Sequence, residues 1–283
     1  MVKPPRGLLY MAASALAFSV MSVLVKVASP RLPLGEIVFG RALVTLVLSY
    51  ALVRRAGVPS LGTQRGRLLL RGVLGFGGLS GYYIGLARLP LADATTLQNT
   101  IPLLTALLAW WWLGERVGRT TAVALACGFA GVVTIAQPGG GLDPLGVAAV
   151  LGGALCSAIA YVTIRRLART EHPLVIVLFF PVVAVPASLP WAIATYVRPQ
   201  PIDLLLLAAI GTATQLGQVF LTLGLAAERA GRASAIGYLQ VAFAMGWQLL
   251  VFGTTPSLTT LLGAALIVAG TLVTASTADK APA

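Results

Sequence analysis

Four glutamines and an asparagine, Gln98, Asn99, Gln215, Gln218 and Gln240, interrupt stretches otherwise built for hydrocarbon. An amide both donates and accepts, so such a set suits orientation of a zwitterion or polar metabolite. Their spacing is helical. Thr95, Gln98, Asn99, Pro102 and Thr105 fall on one stripe. Gly211, Thr214, Gln215, Gln218 and Thr222 form a second, and Gly237, Gln240, Ala244, Trp247 and Gln248 a third. Tyr82, Tyr83, Tyr161 and Tyr238 lie in neighbouring apolar runs, as do Ser14, Phe18, Ser22 and Ser157. A single Ser or Thr in such a run reads as interhelical glue, each bond worth about 0.6–2 kcal/mol. Amides at mid-depth on three helices read instead as the wall of a water-accessible cavity, because a polar group there is expensive unless it faces protein or water. Pro102 adds to this: it cannot donate to the carbonyl one turn earlier, which is then free for water or substrate.

Arg41 is the one charge deep in a run, about two turns from its end, where an isolated cation costs roughly 2.5–3.5 kcal/mol. The alternative is a salt bridge with Glu36, five residues earlier, although that spacing turns the two residues well away from each other's helical face. Arg41 is therefore expected to turn inward and bind a carboxylate through its planar fork. The candidate site is Ser22, Arg41, Tyr82, Tyr83, Thr95, Gln98, Asn99, Tyr161, Thr214, Gln215, Gln218, Tyr238, Gln240 and Trp247.

Other chemistries find no footing. The single histidine, His172, sits in a basic gap, and Cys127 and Cys156 lie in apolar runs without paired spacing, so neither a metal site nor a cofactor is expected. Asp93, Asp143, Asp203 and Asp279 fall at run ends or beyond, which leaves no buried acid pair for an enzyme. A net charge of +12 comes from short gaps between apolar runs, not from a basic stripe with interleaved aromatics, so nucleic acid is not an expected partner.

The elements that must position the stripes follow from composition. The 283 residues are 58% hydrophobic and 10% charged, with a mean hydropathy of +0.90. Soluble domains carry about 25% charged residues. A polytopic, all-α membrane protein is expected. Ten runs approach the roughly 20 residues that span a bilayer: 8–28, 34–53, 70–88, 92–113, 120–136, 146–165, 173–196, 204–225, 233–252 and 258–275. The first run is longer than the roughly 7–15 residues of a signal-peptide core and reads as an uncleaved span. Fifteen basic residues, Arg71 among them, fall in gaps on the side of the N-terminus and four on the other. The positive-inside rule then places both termini in the cytoplasm of an inner membrane. Gly77, Gly81 and Gly85 read as a close helix contact, and Trp110, Trp111 and Trp112 as an interfacial belt.

The chain also repeats itself. At an offset of 139, residues 72–136 match 211–275 at thirteen of 65 positions without a gap, including Gly72/Gly211, Gly78/Gly217 and the run Gly85-Leu86-Ala87 on Gly224-Leu225-Ala226. Ser22 falls over Tyr161, and Lys26 over Arg165. Two units, 1–138 and 139–283, thus hold five spans each. Five is odd, so the second unit enters the membrane from the opposite side. Inverted repeats are a recurring basis of alternating access, with the substrate at the midplane between halves.

"IPLLTALLAWWWLGERVGRTTAVALACGFAGVVTIA" resembles the drug/metabolite transporter superfamily, in its ten-span EamA-type branch. Pro102, Gly114-Glu115, Gly128 and Gly131 stand where that pattern has them. "LPLGEIVFGRAL" resembles its second span, with Pro33 before and Arg41 within. Gly263 and Gly270 match in the second half, while Thr254 and Val241 replace the usual glutamate and proline. The resemblance implies a transporter, with export of amino acids or similar metabolites as the substrate class; an exporter of drugs or other amphipathic compounds is the alternative, and a channel or scramblase a further one. The superfamily's four-span members carry a glutamate in the first helix for protons and cations. Neither the first nor the sixth span here has a carboxylate, which speaks against proton-coupled export of hydrophobic cations. The lipid bilayer and a small molecule are the expected partners. Oligomeric state stays open, a monomer being compatible with all of this.

Overall fold

The computed structural model describes residues 6–101, 103–105, 107–108, 119–136, 141–227 and 239–278. Ten helices order these residues: α1 (Arg6–Ala28), α2 (Leu34–Arg55), α3 (Arg65–Arg88), α4 (Leu91–Gln98), α5 (Arg119–Ala136), α6 (Pro144–Leu167), α7 (Pro173–Ala194), α8 (Pro201–Ala227), α9 (Leu239–Phe252) and α10 (Leu258–Ala278). No strand occurs among them. Five helices, α1, α2, α6, α7 and α8, are by themselves long and apolar enough to cross a membrane. Prolines start several of them, where a missing N–H costs nothing: Pro144 and Pro173 open α6 and α7, capped by Asp143 and His172, whose side chains accept from the N–H of Leu145 and Leu174.

Two of the expected spans differ. The third helix begins at Arg65, one turn and more before residue 70. The fourth is interrupted: α4 stops at Gln98, residues 99–100 form a turn, and helix resumes at residue 101. The proline at 102 has no N–H for the Gln98 carbonyl, which disfavours an unbroken helix through this point. Trp110, Trp111 and Trp112 lie outside the described residues, as does the start of the ninth run.

The repeat is visible in the packing. Leu34 and Pro173 begin, and Arg55 and Ala194 end, helices α2 and α7, each pair 139 residues apart. A shift of 139 turns α1 into α6 and α3 into α8, and it exchanges two of the three most extensive helix contacts, α3 with α6 and α1 with α8. It maps the α2–α7 and α5–α10 pairs onto themselves. Single contacts obey it too. A Cβ at Gly72 would press on Val183, and one at Gly211 on Val44; both partners are also related by 139. Without side chains, these glycines let helix axes approach closely. Gly81 does the same on α3, where a Cβ would sit 2.9 Å from the Cα of Gly153 on α6.

Ion pairs and hydrogen bonds mark the two ends of the bundle. At the end of α1, Lys26 Nζ donates to the carbonyls of Leu86 (2.7 Å) and Leu89 at the end of α3. Arg31 pairs with Asp203 at the start of α8, and Arg88 with Asp143 before α6, both at 2.7 Å. Arg88 is the first cause of a lowered carboxyl pKa at Asp143. Glu36 accepts from the backbone N–H of Val197 on this same end. At the opposite end Glu171 accepts from the Thr63 hydroxyl and from the N–H of Thr63 and Gln64. Partial burial alone would raise the Glu171 pKa, but these hydrogen bonds together hold it below the ordinary value.

Candidate functional site

A cavity of about 160 Å³ lies between the two repeats. At mid-depth its wall holds Arg41, Tyr82, Gln98 and Asn99. It then runs along the first half of α1 and α3 and the last turns of α6 and α8, to Leu225 and the exposed Arg165. It therefore reaches toward the end at which α1 begins, while the Lys26, Arg31 and Arg88 contacts tie the other end together.

The cavity wall brings together part of the set named from the sequence. Arg41, Tyr82, Gln98, Asn99, Tyr161, Gln218 and Gln240 all line the cavity, joined by Ser14, Phe18, Thr105 and Ser157. Others stand behind this wall. The hydroxyl of Tyr82 bonds both Ser22 and Thr95 at 2.9 Å. Those two side chains fix the phenol rather than face the cavity. Tyr83 receives Arg41 Nη1 at 3.3 Å. Thr214 donates to its own helix at Ile210. Gln215 turns away to α2, accepting from Ser49 at 2.9 Å. Gln248 accepts from the N–H of Ala92, and Trp247 Nε1 donates to Ser19. Tyr238 lies outside the described residues.

Arg71 was missed. Its place among the cytoplasmic gap residues is corrected here: it sits in the second turn of α3, 2% exposed, on the cavity wall. Its Nη2 donates to Gln218 Oε1 at 2.8 Å. Sequence did carry a signal. Arg71, Gly75, Gly78 and Tyr82 follow one another at helical spacing, and all four line the cavity.

The electrostatics are lopsided. Arg41 is 1% exposed. Its guanidinium stacks on Tyr83 and Phe180, at 5.6 and 5.1 Å, and Arg71 stacks on the same Phe180 ring at 5.1 Å. The two cations thus lie within twice that distance of each other. No carboxylate is among the described lining residues. The Glu36 bridge is not formed, since Glu36 reaches Val197 instead. Arg41 Nε and Nη2 and Arg71 Nε and Nη1 are buried without a hydrogen-bond partner. Even on the lenient insertion scale an arginine at a helix centre costs roughly 2.5–3.5 kcal/mol. A cation–π contact returns about 0.5–2 kcal/mol, which does not cover it. The edge formed by Nε and Nη2 of Arg41 is a complete two-point fork for a planar anion.

A sequence model described as the EamA-like transporter family matches residues 5–137 and again 144–276. The pseudopaline exporter CntI of Pseudomonas aeruginosa is 36% identical over 265 residues, covering 93% of both chains. A riboflavin transporter of Rhizobium johnstonii is 32% identical over 283 residues, covering 96% of this chain and 92% of the relative. One protein crystal structure superposes with a TM-score of 0.73 at 20% identity, covering 97% of this chain and 98% of that one, a likeness of fold.

Proposed function

The chain belongs to the EamA-like transporter family, and from that premise we propose that it exports small carboxylate-bearing metabolites, amino acids or related compounds, across the cytoplasmic membrane by alternating access. That it is a multi-pass membrane transporter of small molecules follows from the family. The finer reading rests above all on the unpartnered fork of Arg41 in a cavity whose described wall holds no acid. Gln98, Asn99, Gln218 and Gln240 add amides that can orient the rest of a polar molecule. The relative named as an exporter supports the direction.

Alternating access is supported by an asymmetry between equivalent residues. Lys26 holds the Leu86 and Leu89 carbonyls. Its counterpart Arg165, and Leu86's counterpart Leu225, instead line the cavity. One end of a two-fold arrangement is latched, while at the other end, among the described residues, Arg165 makes no such bond to the Leu225 carbonyl. With the termini in the cytoplasm, this is the inward-facing form. Moving Arg71 into the cavity leaves fourteen basic gap residues against four, so the charge bias still supports that orientation.

The test uses Ser157, on the cavity wall. With Cys127 and Cys156 replaced by alanine, Ser157→Cys should react with a hydrophilic maleimide added to the cytoplasmic side. A panel of amino and organic acids and their amides is then added. At least one acid should slow the reaction severalfold while its amide does not. Equal protection by acids and amides would remove the carboxylate from the reading.

A further inference from the structure

We propose that the substrate carries two acidic groups, one held by Arg41 and the other by Arg71 with Gln218. This deepens the carboxylate reading and rests on it.

The argument begins with what each guanidinium has left to offer. Arg41 spends Nη1 on Tyr83 and keeps the Nε–Nη2 edge free. Arg71 spends Nη2 on Gln218 and keeps Nε and Nη1 free. In each case the free atoms are buried, so an anion that reaches them meets donors with no competing water. One acidic group seated in the Arg41 fork leaves the Arg71 donors unpartnered. A second acidic group on the same molecule can take Nη1, beside the Nη2 that donates to Gln218.

Geometry supports two groups rather than one. Both cations stack on one phenylalanine ring, Phe180, at 5.1 Å from its centroid. The Phe180 ring, from α7, packs on Gly75 of α3: a Cβ on Gly75 would fall 2.7 Å from the ring and 3.1 Å from Arg71 Nη1. Gly75 thereby leaves room for both the ring and the Arg71 head. The arginines come from different helices and lean on a shared spacer. Each guanidinium thus presents its own free donors from its own helix, Arg41 through Nε and Nη2 and Arg71 beside Gln218. Like charges so placed repel unless an anion lies between or beside them. Arg41 and Arg71 are not related by the repeat, since a shift of 139 takes Arg71 to Ile210. The pair is therefore a feature of this cavity's chemistry and not a by-product of the duplication.

The experiment titrates the purified full-length protein in lipid nanodiscs with succinate and glutarate, their monoamides and their diamides, by calorimetry. The better diacid should bind at least tenfold more tightly than its monoamide, and the monoamide more tightly than the diamide. In Arg71→Gln the first ratio should fall to about one while the second persists. Arg71→Lys, which keeps the charge and loses the planar head, should give an intermediate ratio. The wild-type ratios need no variant, so a failure of Arg71→Gln to fold leaves the test intact. Equal binding of both diacids and their monoamides would overturn the two-group proposal, and with a retained preference for monoamide over diamide it would leave the single-carboxylate reading standing. Equal binding of all three forms would sink both. Inorganic phosphate binding more tightly than either diacid would also overturn the proposal, because one dianionic group would then satisfy both arginines.

Discussion

Arg41→Gln is expected to cut transport of the carboxylate substrate by roughly 10- to 150-fold, the factor that corresponds to about 1.5–3 kcal/mol for hydrogen bonds to a charged group. Transport of the corresponding amide should change little, so discrimination between the two should vanish. The same variant should fold at least as well as the parent. Arg41 is 1% exposed and has two nitrogens without partners. Its removal takes away a desolvation cost that stacking on Tyr83 and Phe180 only partly offsets. A structural arginine would behave the other way, losing stability on replacement and leaving selectivity untouched in whatever protein folds. Arg41→Lys separates charge from shape. It keeps the cation, loses the fork and the flat stacking surface, and should recover only part of the transport rate. Thermal melting in detergent, read beside the ratio of acid to amide flux, distinguishes the two accounts.

The second large effect concerns the latch. Lys26→Ala removes the cross-link from α1 to the Leu86 and Leu89 carbonyls. On the proposed alternation this weakens only the form seen here, in which that end is tied. Population should therefore move toward the form open at that end, because a contact made in one state alone shifts the balance by its full differential energy. Arg165→Ala should act in the opposite sense, since its equivalent contact belongs to the other form. The readout is a cysteine at Ser22, buried in the tied half of α1, in protein whose native cysteines are alanine. An impermeant maleimide on the outer side should label it severalfold faster when Lys26 is alanine. Labelling of Ser157→Cys from the cytoplasm should slow in the same variant. If neither rate moves, Lys26 merely caps the end of α3, and the inferred latch has no bearing on alternation.

Much of the fold was legible because a membrane leaves few options. Apolar runs of the right length must be helices when every backbone group has to be satisfied internally, and the helix ends at 34 and 173 or 55 and 194 show the 139-residue repeat extending into geometry. The cavity wall was legible where a polar residue shares a helical stripe with others, as Gln98 and Asn99 do. Spacing alone could not separate the cavity wall from the layer behind it. Ser22 and Thr95 lie on the right helices, yet both are spent on the Tyr82 hydroxyl. Gln215 lies three residues from Gln218 and faces Ser49 instead. Arg71 was hidden by a rule that is otherwise sound. Counting cations near span ends as loop residues works for Arg65 and Arg67, but α3 starts early enough to carry Arg71 inside. The break at residues 99–100 was foreshadowed by Pro102, although a proline alone does not say whether a helix kinks or stops.

The measurement closest to the central claim is flux through the purified protein in liposomes, with acids and their amides compared at equal gradients. Uptake or release of at least one carboxylate metabolite should saturate with concentration, compete with other acids, and exceed that of its amide by tenfold or more. Trans-side loading with the same acid should accelerate it, as exchange through one alternating site requires. Flux that rises linearly with concentration, or that carries acid and amide alike, would contradict a carboxylate site at Arg41.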